Sequence, residues 1–387
     1  MTTKPRIYLD HAATSWPKCT SVIQAMTDFM RDCGAAAGRG GYASAAAADR
    51  IVTTTRRQIA ALVGAESTNS ISLHSNGTTA LNAAIHGVLK QGDHVVTCAA
   101  EHNSVLRPLH CLQQRGEIKL TIVPVDQSGK VDPQQLLDAT RPNTRMVTLT
   151  HASNVTGAVQ PVAEIATALR DRSTLFLCDA AQTFGTLPID VDGIDLLAAP
   201  GHKASGGPLG TGFLYVATQI EDQVEPSIQG GTGSQSESLE MPINMPSKLE
   251  PGNLNVPALA GWSVALKEVM DDGIETRQRQ AIQLSNQLHD ALSGMPGLRV
   301  YGERDQLPIA SISIDGLTPS DAAVVLDSEY GIETRAGLHC AGAIHSFLGS
   351  QDQGTLRISA GHETKTSDIT KATEALQSIT GMMQSLE

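Results

Sequence analysis

Aromatic residues are scarce: Phe, Trp and Tyr make up 3% of the 387 residues. A core must then be built mainly from Ala, Val, Leu and Ile, which suits parallel α/β structure with strands buried on both faces. Long apolar runs are missing too. No window approaches the roughly 20 apolar residues that span a bilayer, and no run of signal-peptide length precedes Ile7. The expectation is a cytoplasmic protein without a membrane partner. No basic block interrupts a net charge of −12, which argues against a nucleic-acid surface but leaves room for a small anion in a locally positive pocket. The six cysteines, Cys19, Cys33, Cys98, Cys111, Cys178 and Cys340, form no C-x-x-C pair, so they read as reduced thiols rather than a disulfide frame or zinc site. Neither a His-Glu-x-x-His helix nor a P-loop is present, and no metal is expected.

What is present alternates. Strands are expected over 7–9, 71–74, 94–97, 120–123, 146–150, 175–178, 196–198 and 213–216. Helices are expected over 17–31, 45–63, 80–89, 104–115, 133–139 and 161–170. That order implies an α/β fold with a mostly parallel sheet, whose ligands bind at the carboxyl ends of the strands. Residues 229–257 carry no period and are rich in Gly, Ser, Pro and Met, hence a long loop of functional type. Residues 258–271 are expected to start a linker helix, and a second, smaller α/β unit follows. Its strands are expected over 298–301, 309–314, 332–335 and 355–359, and its helices over 320–329 and 367–387. The domain expectation is an N-terminal segment at 1–16, a large domain at 17–257 and a small domain at 258–387.

Polar residues gather at the expected strand ends. Gly77-Thr78-Thr79 opens a helix and offers N–H groups and hydroxyls to a phosphate, or simply a helix cap. His102, in Glu101-His102-Asn103-Ser104, could lie against an aromatic ring, move a proton or cap a helix. Asn154 offers an amide beyond the 146–150 strand. Asp179 ends an apolar strand, where a carboxylate is costly unless paired; a protonated ring nitrogen would pair it, and an N-cap role is the bland alternative. Lys203, in Pro200-Gly201-His202-Lys203, sits in a glycine-rich turn where its amine could leave solvent for a carbonyl. Each signal is weak alone. In this order they are the set an aldehyde cofactor with a phosphate and a ring nitrogen uses, the division of labour of pyridoxal phosphate enzymes. In the second unit, Arg335-Ala336-Gly337-Leu338-His339-Cys340 places a cysteine between glycines, near an Arg and a His, a setting that favours thiolate. Arg335 and Arg357 could each clamp a carboxylate or be ordinary surface arginines.

These motifs, from Tyr8-Leu9-Asp10-His11-Ala12-Ala13-Thr14 to the final helix, resemble the class V aminotransferase family of fold-type I pyridoxal phosphate enzymes. Within it the chain looks most like group II cysteine desulfurases and their selenocysteine lyase relatives. The resemblance also rests on Asn154-x-x-Gly157, Asp179-Ala180-Ala181-Gln182 and Gly230-Gly231-Thr232-Gly233-Ser234. It implies that Lys203 is the Schiff-base lysine and the base at the substrate α-carbon. It implies that Asp179 pairs the pyridine nitrogen, that Gln182 and Asn154 lie near the phenolic oxygen and substrate, and that His102 stacks on the ring. Gly77, Thr78, Thr79 and His202 would surround the phosphate, and Thr232 would reach the cofactor of a second subunit in a homodimer. Cys340 would take sulfur as a persulfide and pass it to an acceptor protein. Ala13, Asn154, Arg335 and above all Arg357 would hold the substrate, L-cysteine or L-selenocysteine.

The chain departs from the family pattern at Pro200, where relatives carry Ser or Thr, at Tyr42, where many carry His, and at Gly361-His362-Glu363-Thr364, where an aromatic-Asn pair is usual. Class V members also include transaminases, epimerases and C–S lyases, and fold does not fix reaction. A cofactor-binding partner without activity is a further alternative, against which the joint retention of Lys203, Asp179 and Cys340 argues.

Overall fold

The computed structural model describes residues 6–38, 40–170, 172–233 and 237–385; Ser234 and the end of the expected 367–387 helix lie outside them. In chain order the elements are β1 (Ile7–Tyr8), α1 (Thr20–Asp32), α2 (Ala43–Val63), β2 (Ile71–His74), α3 (Gly77–Val88), β3 (His94–Cys98), α4 (Asn103–Gln114) and β4 (Lys119–Val123). Then follow α5 (Pro133–Asp138), β5 (Thr144–Thr150), α6 (Val162–Leu169), β6 (Leu175–Asp179), β7 (Leu196–Pro200) and β8 (Gly212–Val216). The chain closes with α7 (Val256–Asp272), α8 (Ile274–Leu292), β9 (Leu298–Tyr301), β10 (Ile309–Ile314), α9 (Pro319–Val325), β11 (Ile332–Glu333), β12 (Arg335–Gly337), α10 (His345–Leu348), β13 (Thr355–Ser359) and α11 (Thr366–Gln384).

The fold is α/β. Seven strands form one sheet in the order β2-β8-β7-β6-β5-β3-β4. All its pairings are parallel except those of β8, which runs against β2 and β7. Strands β3, β6, β7 and β8 are buried along their whole length, as an apolar sequence poor in aromatics requires of a sheet covered on both faces. A second sheet, β12-β13-β10-β9, is antiparallel throughout. It has its own apolar cluster with Leu284, Leu288 and Leu376. Helix α7 packs its apolar side, including the fully buried Trp262, into the core of the larger sheet.

Three differences from the sequence expectation have local causes. Helix α3 starts at Gly77 rather than at residue 80, because Asn76 caps it reciprocally with Thr79. The strand expected at 332–335 is two: Ile332 and Glu333 pair in parallel with β1, while Arg335 to Gly337 pair with β13. The linker helix expected to start over 258–271 is two helices, α7 and α8, parted at Gly273 with φ 78°; α8 is largely polar, and only Ala281, Leu284, Leu288 and Leu292 mark its buried apolar stripe. Among the described residues no helix is long and apolar enough to cross a membrane, and all six cysteines are free thiols.

Candidate active site

The turn after β7 is built on Trp262. Gly201 and Gly207 lie so close to its ring that a Cβ would come within 2.6 Å of Cε2 in the first case and 2.4 Å of Cδ1 in the second. No other residue permits that approach without a shift. Gly207 N–H donates to the Gly201 carbonyl at 2.8 Å and Gly206 N–H to the Lys203 carbonyl at 2.9 Å. Ser205 Oγ, itself a hydrogen-bond acceptor for Trp262 Nε1 at 3.1 Å, donates to the Gly201 carbonyl at 2.8 Å. The result is a closed loop that projects Lys203 over the carboxyl ends of the parallel strands.

A cavity of about 210 Å³ opens there. The end of β2 contributes Gly77 and Thr78; β3, His102; β5, Asn154; β6, Asp179 and Gln182; β7, Pro200, His202 and Lys203. Ala13, Arg335 and Arg357 reach it from the N-terminal segment and the second sheet. Five strand ends therefore converge on one space, as a parallel sheet demands of its ligand site.

Two residues have a local structural task and also line the cavity. His102 is the N-cap of α4, accepting the Ser104 N–H on Nδ1 at 3.0 Å, and its ring also lines the cavity. Asp179 Oδ1 accepts the Ala181 N–H at 2.9 Å in a turn, yet the residue is 2% exposed and lines the cavity. Burial raises the Asp179 carboxyl above its ordinary range, opposed by that N–H and by the charge of Lys203. Burial in turn draws the Lys203 amine down to about 8, with Asp179 pulling it back up and Arg357 and Arg335 pushing it lower. Burial holds His102 at about 4, helped by Lys203 and Arg335, so the ring is neutral near pH 7. His202 sits at about 4 for the same first reason, and its Nδ1 is buried without a hydrogen-bond partner among the described residues.

Cys340 stands at the rim on a strained loop. His339 and Cys340 both adopt positive φ, 51° and 58°, a conformation costly for residues with a side chain. Two bonds hold them there. Asn103 N–H donates to the Cys340 carbonyl at 2.7 Å, and Asn154 Nδ2 donates to the His339 carbonyl at 2.6 Å. Asn154, expected beside the cofactor, thus also ties the cysteine loop to the large sheet. The thiol is exposed, with Arg335 Nη2 at 3.5 Å from Sγ. His339 does not assist it. That ring turns inward to Thr355, 3.0 Å from Nε2, so the positive setting read from the sequence comes from Arg335 alone.

Arg357 is 1% exposed and engaged on both terminal nitrogens, with Asp10 Oδ1 at 2.5 Å and the Asn154 carbonyl at 3.0 Å. Its Nε is buried and unpartnered among the described residues. Arg335 is half-buried and makes a single thiol contact through Nη2. Gln182 donates to the Ala12 carbonyl at 3.1 Å, which fixes the cavity wall beside Ala13. Thr79, expected at the phosphate, lies elsewhere: it spends its hydroxyl on the cap of α3 and lines a neighbouring cavity. Thr232, expected at a second subunit's cofactor, lies in the long segment before α7 and not on this chain's cavity lining.

The sequence reading missed four participants. Ser104 links the cavity's hydroxyls, lying 2.7 Å from Thr78 Oγ1 and 2.9 Å from His102 Nδ1. Asp10 balances Arg357. Glu101 is fully buried, its carboxyl raised well above the usual range by burial and by the Asp179 charge. Lys18 bonds the His202 carbonyl at 2.8 Å. Asp10 and Glu101 stood inside quoted motifs and carried a signal as acids next to apolar strands. Lys18 carried none.

Two departures from the family pattern acquire a setting. Pro200 ends β7 against Gly77, where a Cβ would meet its Cδ at 3.0 Å. It places a ring, without hydroxyl or N–H, beside the start of α3. A Cβ at Gly361 would lie 2.2 Å from His11 Nδ1, so the His11 ring already fills the space a larger residue would need. Tyr42 is 57% exposed and starts α2.

The family model for class V aminotransferases matches residues 7–371. A probable cysteine desulfurase of Methanothermobacter thermautotrophicus is 34% identical over 386 residues, covering 98% of this chain and 96% of the relative. Among solved structures, the apo cysteine desulfurase from Thermococcus onnurineus superposes with a TM-score of 0.90 at 27% identity, covering 97% of this chain and 95% of the other. The Escherichia coli cysteine desulfurase CsdA, in an S-sulfonic acid form, does so with a TM-score of 0.88 at 28% identity and the same coverage. The strand-end cavity, the lysine over it and these matches along nearly the whole chain agree, and the chain belongs to the class V aminotransferase family.

Proposed function

We propose that this chain is a cysteine desulfurase that binds pyridoxal phosphate, converts L-cysteine to L-alanine and passes the sulfur through Cys340 to an acceptor. The observation that carries the reading is the Asn154 bond to the His339 carbonyl, which holds the loop of an exposed cysteine at the mouth of the Lys203 cavity. A transaminase has no use for that thiol.

The residues fit the cofactor. Asp179 is a buried acid whose charge calls for a cationic partner such as a protonated ring nitrogen. The N-terminus of α3, with Gly77 and Thr78 in its first turn, offers backbone N–H groups to a phosphate, and the unpartnered His202 Nδ1 is a further polar contact. When bound, pyridoxal phosphate supplies the electron sink that makes the substrate α-proton acidic and the C–S bond breakable. Lys203 binds the cofactor and then moves the proton at the α-carbon. His102, neutral and backed by Ser104 and Thr78, would cover the face of the bound ring. Arg357, fixed by Asp10, holds the substrate carboxylate, with Arg335 close to both substrate and thiol. Cys340 Sγ attacks the substrate sulfur: an S–S bond forms, the C–S bond breaks, and its electron pair leaves with the carbon, which is protonated to the methyl group of alanine.

The assembly that suits this reading is a homodimer. Ile228, Leu239 and Ile243 are 65%, 108% and 76% exposed in the segment around Thr232, large apolar side chains that a second copy would cover.

Product identity tests the reading. L-Cysteine is expected to yield L-alanine and protein persulfide in equal amounts; pyruvate with ammonia, or a keto acid with a new amino acid, would replace it by a C–S lyase or a transaminase. Pro200→Ser restores a hydroxyl beside the expected phosphate site. A charge-assisted hydrogen bond of that kind is expected to tighten cofactor binding about tenfold, read as the dissociation constant of pyridoxal phosphate by equilibrium dialysis. An unchanged constant would show that Pro200 does not face the phosphate.

A further inference from the structure

The carbonyl of His202 is contacted by more donors than it has lone pairs. Ser15 N–H lies at 3.0 Å, Thr14 Oγ1 at 3.0 Å, Ser15 Oγ at 3.1 Å and Lys18 Nζ at 2.8 Å. The ammonium of Lys18 also donates to Ser15 Oγ at 2.7 Å. That hydroxyl has one proton to give, and the Lys203 carbonyl, 2.9 Å away, takes it better than the crowded His202 oxygen. An ammonium is a compact point charge with three donors and does not need a free lone pair in one direction. It is the group that can complete such an oxygen cluster.

We propose that Lys18 acts as a tethered cation in an oxygen-lined seat beneath the turn, and that it positions Lys203 by fixing the two carbonyls at its root. The seat joins the start of α1 to the backbone on either side of the His202–Lys203 peptide. Arg277 holds the other side, donating to the Ala204 carbonyl at 3.3 Å. The backbone of Lys203 is thereby held on both sides. Lys18 does not line the cavity itself; it meets the lining only through the backbone carbonyl of His202, and is a positioning residue. The inference rests on Lys203 being the reacting lysine.

Removing the side chain leaves a vacancy lined by carbonyl and hydroxyl oxygens, chemistry that suits a small monovalent cation. Lys18→Ala is therefore expected to be rescued by ammonium or potassium chloride and not by choline chloride at equal ionic strength. Two readouts report it. The melting temperature of the apo-protein should fall in choline chloride and recover with ammonium or potassium, with no such difference in the wild type. The rate at which pyridoxal phosphate attaches to Lys203 should fall about tenfold and recover with the same cations. Attachment at the wild-type rate in choline chloride, or a loss that neither cation restores, would overturn the proposal. If Lys18→Ala does not fold, Lys18→Gln carries the test, since it keeps a neutral donor of similar length. A tenfold slower attachment supports the need for charge, and an unchanged rate overturns it. Failure of the wild type itself to attach pyridoxal phosphate would instead overturn the assignment of Lys203, whatever Lys18 does.

Discussion

Lys203→Ala is expected to lower alanine production from L-cysteine by about 10²–10⁴-fold or more, the range lost when a positioned acid–base group is removed. Two functions fall together, because one amine both binds the cofactor and moves the α-proton. The distinguishing readout is covalent: borohydride should fix pyridoxal phosphate to the wild type and not to the variant, by mass. The pH dependence follows from the cavity. An amine attacks a carbonyl only as the free base, and burial draws that of Lys203 down to about 8. Cofactor attachment to the apo-protein should therefore quicken as pH rises through about 8 and level off above it. An exposed lysine, with an ordinary value near 10.4, would still be quickening there. A Lys203→Ala protein that retains the wild-type rate would remove the lysine from the reaction altogether.

Cys340→Ser is expected to cost on the order of 10³-fold in alanine formation from L-cysteine, as loss of a nucleophile does in other enzymes. The hydroxyl cannot take a sulfur atom as a persulfide. With L-selenocysteine the loss should be much smaller, since the C–Se bond is weaker and selenium can depart as elemental selenium, leaving the C–Se electron pair on the carbon that becomes the methyl group of alanine. The contrast separates chemistry from structure: a distorted loop would penalise both substrates alike. The loop bonds run through the Cys340 and His339 carbonyls, which the substitution keeps. Equal losses on both substrates, or none on either, would sink the role given to Cys340.

The alternation of apolar strands and amphipathic helices was legible without coordinates, because the inner parallel strands, such as β3, β6 and β7, are buried on both faces and must be written as apolar runs. So were Lys203, Asp179, His102 and Asn154. Each follows or ends such a run, and the sheet carries the carboxyl ends of all its strands but β8 to one edge. Tertiary structure decided what chain order hides. Thr79 and Thr78 are neighbours in sequence, yet the cap of α3 consumes one hydroxyl and leaves the other on the cavity. His339 sits beside the thiol in sequence and faces away from it in space, because a positive φ turns the loop and Thr355 captures its ring.

Charge balance was decided in the same way. Asp10 and Arg357 are 347 residues apart and form one ion pair, and Lys18 meets the His202 carbonyl across 184 residues. Local spacing carries no signal for such pairs, since they exist only once β1 has joined β11 and the N-terminal segment lies between the two sheets. The glycines around Lys203 announce a tight turn. That they make room for Trp262 follows only from where α7 packs. Sequence alone thus determined which groups stand at the strand ends, a matter of short-range pattern. The fold determined which of them face the same space and in which charge state, because burial and long-range pairing are properties of the assembled chain.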